Sequence, residues 1–182
     1  KAVAPVTEKF GVPMVEAEGA SRSLFTQGYK YMFAVLSTSE YYLAPVLDVV
    51  AQRAKSEGKD PAKMRIGMAF ENDGFSLDVR AGVLDVAKKY NMKIVIDDKL
   101  PADLSDMSAT LTKFKALKPD ILLISGHSKG AATAARQIEE MKIQAPVIAY
   151  THCEAAKVHE KFPKSAVGVM CPTQWLDNLP KQ

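Results

Sequence analysis

The sequence predicts a doubly wound α/β fold built on a parallel sheet. Three observations carry that prediction. From Arg65 onward, short apolar runs alternate strictly with segments of helical periodicity. Each run is continuously apolar instead of alternating, the pattern of a strand buried on both faces. The composition, 47% apolar and 25% charged over 182 residues, suits one sizeable buried core.

Residues 2–10 read as a helix closed by Gly11, a residue suited to a left-handed C-terminal cap. "VPMVEA" follows as a short strand and "EGASRSLFTQG" as a polar loop of small residues. "YKYMFAVLS" reads as a buried strand, after which Ser37, Thr38 or Ser39 could cap a helix. In that helix, "EYYLAPVLDVVAQRAKSEG", Leu43, Val46, Leu47, Val50 and Ala54 share one face. Pro45 falls in its first turns, where a missing N–H is tolerated. "GKDPAK" is turn chemistry and a candidate boundary. The alternation then begins with strand "RIGMAF" and helix "SLDVRAGVLDVAKKYN", whose Val79, Val83, Val86 and Ala87 face inward. Strand "KIVIDDKL" leads to helix "MSATLTKFKALK", with Ser105 or Asp106 as its cap. Strand "DILLISG" leads to helix "GAATAARQIEEMK", "APVIAYT" leads to "CEAAKVHEKF", and "AVGVMC" is the last strand.

The bulk properties exclude several classes. A net charge of +3, with Lys and Arg dispersed and no basic run, gives no reason to expect a nucleic-acid partner. No apolar stretch approaches the about 20 residues that span a bilayer. Cys153 and Cys171 form no C-x-x-C pair and are compatible with one disulfide or two buried thiols. The chain opens inside a helix-like segment without an initiator Met or signal peptide and stops soon after a strand. We therefore expect it to be a piece of a longer protein.

In a doubly wound sheet, ligands bind where strands end and helices begin. That rule selects residues 19–23, 72–76, 97–99, 126–129 and 151–154. Residues 126–130, "GHSKG", match G-x-S-x-G between a strand and a helix, the pattern of a hydrolase nucleophile elbow. A hydrolase would need an acid and a histidine after Ser128. Glu139 and Glu140 lie on the helix just past the elbow, pointing away from the strand ends. Glu154 and His159, five apart, do not share a helical face well, and no Gly-rich oxyanion loop occurs. Ser128 therefore reads as a helix N-cap, and no catalytic residue is assigned. The pattern also lacks P-loop spacing, although the free N–H groups at that helix start could hold a carboxylate. His152, Cys153 and Glu154 are contiguous and so point in different directions. His152 and His159 without further ligands make a poor metal site, so no metal ion and no cofactor are expected. Asn72, Asp73 and Gly74 are turn chemistry, whereas Phe75 at a loop-to-helix junction could be a lid over a ligand.

The stretches "KFGVPMVEAEGAS", "GYKYMF", "RIGMAFENDGFSLDVRAG", "DMSATLTKFKALKPDILLISGHSKGAATAARQ", "APVIAY" and "AVGVMCPTQW" occur in a telling order and spacing. Together they resemble the solute-binding proteins of ABC importers, of the leucine/isoleucine/valine-binding class with the type I periplasmic-binding fold. The resemblance implies two α/β lobes joined by hinge crossings, with a small-molecule solute held between them. Residues 1–35 would end the first lobe, 36–171 would form the second, and 172–182 would start the return crossing at 172–175. It implies that Gly19, Ala20 and Ser21 grip a ligand's α-carboxylate and amine. Phe75 and His127 match positions where the class commonly has Tyr. Thr151, with His152 beside it, falls where an acid should meet the ligand's ammonium. Losing that acid removes a charge-assisted hydrogen bond. The expected ligand is accordingly an aromatic or other organic carboxylate in place of a zwitterionic amino acid. The resemblance further implies a non-enzymatic, periplasmic protein that hands its solute to an ABC permease in the membrane. Two alternatives are the ligand-sensing core of a repressor or receptor with the same fold, and a serine hydrolase using Ser128.

Overall fold

The computed structural model describes residues 2–154 and 156–174. Helix α1 (Ala4–Phe10) ends where expected, at Gly11, which takes φ +63° and donates its N–H to the Glu8 carbonyl. Strands β1 (Met14–Glu16) and β2 (Met32–Ala34) then pair in parallel as a two-stranded sheet. The second of these was expected to be buried and is not, since Phe33 is 54% exposed and Val35, just beyond it, 70%. Apolarity predicts burial only when a second layer covers the strand, and two short strands carry little of one.

The helix expected from Glu40 is split. A 3-10 turn, Ser39–Tyr41, precedes α2 (Ala44–Ser56), and Thr38 stands at the N-cap of that turn without a side-chain hydrogen bond. Pro45 has no N–H to return to an upstream carbonyl, so a helical ladder from Glu40 cannot run through it and α2 restarts around it. Its expected apolar face, Leu43, Val46, Leu47, Val50 and Ala54, is buried throughout.

The larger sheet is wholly parallel, in the order β4-β3-β5-β6. Its strands are β3 (Arg65–Glu71), β4 (Lys93–Leu100), β5 (Ile121–Ser125) and β6 (Val147–Tyr150). The connecting helices are α3 (Gly74–Lys89), α4 (Ser108–Leu117) and α5 (Ser128–Glu140). Helix α3 begins two residues earlier than expected because Asp73 caps it, accepting the Ser76 N–H at 2.8 Å. At α4 the cap position is Met107, yet Asp106 still accepts the Ser108 N–H at 3.0 Å. Short helices α6 (Ala156–Lys161) and α7 (Pro163–Ala166) follow β6. The expected last strand shrinks to a single bridge between Ala149 and Met170, because α7 takes up Ala166 and Gly168 turns at φ +81°. Cys153 and Cys171 form a disulfide, which settles the alternative that the sequence left open.

Strand alternation sorts the core into two layers. Ile66, Met68, Phe70, Ile121 and Leu123 pack with Leu47, Val79 and Val83 of α2 and α3. Ala69, Leu122 and Ile124 pack with Leu111, Phe114, Ala134 and Ile138 of α4 and α5. Of the inward set expected on α3, Val86 is half-buried and the other three are buried. Both faces of the central strands are thus covered, as continuous apolar runs require.

Two contacts on α3 hold the rest of the chain against this sheet. Gly82 lets the 3-10 turn come so close that a Cβ there would lie 1.9 Å from the Glu40 carbonyl oxygen. Asp78 Oδ2 accepts the Ser21 hydroxyl at 2.8 Å, the Arg22 N–H at 2.9 Å and the Ser39 hydroxyl at 3.5 Å. Gly82→Ala should therefore force backbone apart and cost about 2–3 kcal/mol, the upper range of overpacking, measured by denaturant unfolding. Asp78→Ala should remove the acceptor shared by Ser21, Arg22 and Ser39, costing about 1–2 kcal/mol. Hydrogen exchange should then accelerate at the Arg22 amide.

Candidate functional site

From β3 the chain crosses through α3 to β4 on one side, then through α4 back past β3 to β5 on the other. The β3 and β5 carboxyl ends therefore flank the point where the winding direction reverses, which is where sheets of this kind hold ligands in a crevice. Four of the five strand-end segments expected to carry chemistry gather around it.

Glu71 ends β3. Residues 67, 69 and 71 face the α4 and α5 layer, so this carboxyl group lies under the start of α5, 1% exposed. A Cβ on Gly126 would come within 2.5 Å of Glu71 Oε1, and one on Gly130 within 2.7 Å. The two glycines of G-x-S-x-G make room for an acid. Burial, and then neighbouring Asp73, push the Glu71 carboxyl up to about 7, partly offset by a hydrogen bond from the His127 N–H. Its Oε2 makes no hydrogen bond among the described residues. Asp73 spends Oδ1 on the α3 cap and sets Oδ2 3.1 Å from His127 Nε2.

Above these acids sits a cluster of rings. Phe75 is at its centre, with centroid distances of 5.3 Å to Tyr42, 5.5 Å to His127 and 5.6 Å to His152. His127 and His152 are 5.8 Å apart. These spacings, with edge-on contacts to Tyr42 and His152, are those of favourable aromatic packing. His152 takes φ +59°, and its Nδ1 lies 2.9 Å from the Gly126 carbonyl oxygen. A carbonyl only accepts, so Nδ1 carries the proton. Thr151 is fully buried; its hydroxyl donates to the Gly126 carbonyl at 2.7 Å and accepts the Gly126 N–H at 3.0 Å. That two-way clamp joins the loops that follow β5 and β6.

The expected gripping loop lies against the start of α3. Gly19 donates its N–H to Glu16 Oε1 at 2.7 Å, and Glu18 does so at 2.9 Å. Those two N–H groups hold the Glu16 carboxyl below its ordinary value. Ala20 is buried and accepts the Ser39 N–H at 2.8 Å. Ser21, besides binding Asp78, places its hydroxyl 3.4 Å from the carbonyl of Gly74, the neighbour of Phe75. Thus Phe75, His127, Thr151 and His152 come together at the strand ends and Ser21 reaches them through Gly74, whereas Gly19 and Ala20 are engaged with Glu16 and Ser39.

Ser128 is not the helix cap. It is the exposed first residue of α5, and His127 occupies the cap position with extended backbone, φ −86° and ψ −175°. His127 faces Asp73 and His152 faces Gly126, so among the described residues no histidine hydrogen-bonds to Ser128. The side chain of His159 lies outside the described residues. So do residues 175–182 of the expected return crossing. Its described part, 172–174, reaches residues 37–49: Gln174 Oε1 accepts the Ser37 N–H at 3.0 Å. A cavity of about 460 Å³ opens between Tyr42, Val46, Val49, Met170 and Pro172.

Tyr42, Glu71 and Asp78 were not singled out from the sequence. Glu71 had a usable signal, a lone charge closing an apolar strand. Asp78 had none, since Ser21 is 57 residues away.

Known proteins share this architecture. A leucine-binding protein from Thermotoga maritima superposes with a TM-score of 0.74 at 20% identity, over 96% of this chain and 48% of that one. A solute-binding protein from Rhodopseudomonas palustris, solved in complex with benzoate, gives 0.80 at 11% identity, over 99% and 48%. The Leu/Ile/Val-binding protein homolog 8 of Brucella abortus is 24% identical over 140 residues, 76% of this chain. The chain spans 35% of the length of that relative. The family model described as periplasmic binding protein matches residues 1–182, and the chain belongs to that family of binding proteins, with the type I periplasmic-binding fold.

Proposed function

We propose that this chain is part of an extracytoplasmic solute-binding protein of an ABC importer, and that its solute is an organic carboxylate with an aromatic or apolar body. Residues 1–35 then close one lobe, 36–171 form the other, and 172–182 begin the return crossing. The solute sits between the lobes and is delivered to a membrane permease by hinge closure. The protein performs no chemistry on it.

The observation that carries the ligand class is the ring cluster of Tyr42, Phe75, His127 and His152 at the strand ends. Ring faces favour a flat apolar body. Of the acids near the rings, exposed Glu154 beside Tyr42 remains for a ligand ammonium, and the others are engaged or buried. Thr151 replaces the acid, and its hydroxyl is spent on Gly126. Asp73 is spent on Ser76 and His127, and burial favours the neutral form of Glu71. Each histidine keeps one ring nitrogen outside these bonds, Nδ1 of His127 and Nε2 of His152, which donates to a carboxylate once protonated. Among similar structures, the benzoate complex supports an aromatic acid, whereas the leucine-binding protein supports an aliphatic amino acid.

Calorimetry and thermal shift with benzoate, hydroxybenzoates and leucine on the intact protein test this. Aromatic acids should bind and raise Tm. Phe75→Ala and His127→Ala should each weaken binding about tenfold or more, a loss of about 1.4 kcal/mol. Stabilisation by leucine alone would overturn the carboxylate assignment while leaving the binding role intact.

A further inference from the structure

We propose that Glu71, Asp73 and His127 form a binding site for a divalent cation of the zinc class. One donor atom from each lies within 4.8 Å of the other two, and His127 Nε2 is 3.1 Å from Asp73 Oδ2. Two carboxylate oxygens and one imidazole nitrogen suit zinc and similar transition ions, whereas calcium and magnesium prefer oxygen alone. Donors about 2.0–2.2 Å from a tetrahedral zinc stand roughly 3.4 Å apart. Closing the set therefore asks for shifts of about an ångström, which the partly exposed Asp73 and His127 side chains can supply.

A second observation points to an occupant. Glu71 is 1% exposed, and its Oε2 has no hydrogen-bond partner among the described residues. A carboxyl group buried like this ionises where a partner or a metal stabilises the charge, and a cation at this position supplies that partner and displaces the proton. Gly126 and Gly130 hold open the space around the carboxylate. Access is graded: Glu71 is at the floor, the Asp73 side chain is 22% exposed, and that of His127 is 58% exposed at the mouth. An ion enters past His127, and water completes its coordination. Asp73 needs only Oδ2 for the ion and keeps Oδ1 on the Ser76 N–H, so the α3 cap survives. The three donors come from the end of β3 and the starts of α3 and α5, so the ion cross-links three elements. Two of the donors are two residues apart, the third is 54 residues from Asp73, and none belongs to the His152 and His159 pair. Nor does the site depend on which solute the crevice takes.

The test is calorimetric titration of the chelator-stripped intact protein with zinc chloride and, in parallel, calcium chloride, without solute. Zinc should bind with one ion per chain and raise Tm. Glu71→Gln, close to isosteric and hence able to fold, and His127→Ala, an exposed position, should each weaken zinc about tenfold or more. Cobalt should give visible absorption bands that His127→Ala removes. Three outcomes would overturn the site: no saturable zinc binding, zinc affinity unchanged in both variants, or calcium binding as tightly as zinc.

Discussion

A carboxyl group at the end of the central strand sets the shape of the crevice. Alternation along β3 turns Glu71 toward the α5 layer, where solvent does not reach it. A group of that size and polarity needs space and at least one donor. Gly126, just before the cap of α5, and Gly130, in its first turn, leave the space; the His127 N–H donates. With the strand-to-helix turn settled in this way, His127 takes the cap position, its ring meets Asp73, and Ser128 is left facing solvent. The G-x-S-x-G pattern is therefore the outline of a buried acid and says nothing about a nucleophile.

The fold was legible where its causes are local. Apolar runs and 3.6-residue periodicity located β3 to β6 and α2 to α5, because each buried face is written within one element. What failed had distant causes. Burial of β2 depends on a second layer that a strand cannot specify. The split before α2 follows from Pro45, whose missing N–H was noted while its effect on the upstream turn was not. In the crevice, Phe75, His127 and His152 were found because ligands gather at strand ends and because the chain resembles a known class. Tyr42 sat inside an expected helix and looked like one more amphipathic position. Asp78 was invisible for the same reason: its partners, Ser21, Arg22 and Ser39, are brought to it only by the fold.

The loops after β5 and β6 are fastened at one peptide. Gly126 gives its N–H to Thr151, and its carbonyl accepts from both Thr151 and His152. That fastening sustains His152 at φ +59°, a backbone state costing a residue with a side chain about 1–2 kcal/mol. The return on the strain is placement, since the left-handed turn swings the imidazole toward Phe75 and His127 and completes the ring cluster. Thr151 is thus a structural rivet at a position where the resemblance implied an acid.

On the proposed reading, a crevice arranged like this selects by shape before it selects by charge. Its backbone donors and its acids are mostly spent within the protein: Gly19 on Glu16, Ser21 on Asp78, Asp73 on Ser76 and His127. Ring faces and the second histidine nitrogens remain. An incoming zwitterion that took Asp73 for its ammonium would displace it from His127, undoing the contact that orients the ring. An anion with an apolar body asks for no such displacement and gains the ring faces directly. Under the proposed ligand assignment, these commitments also weigh against the amino acids that the family resemblance first suggests.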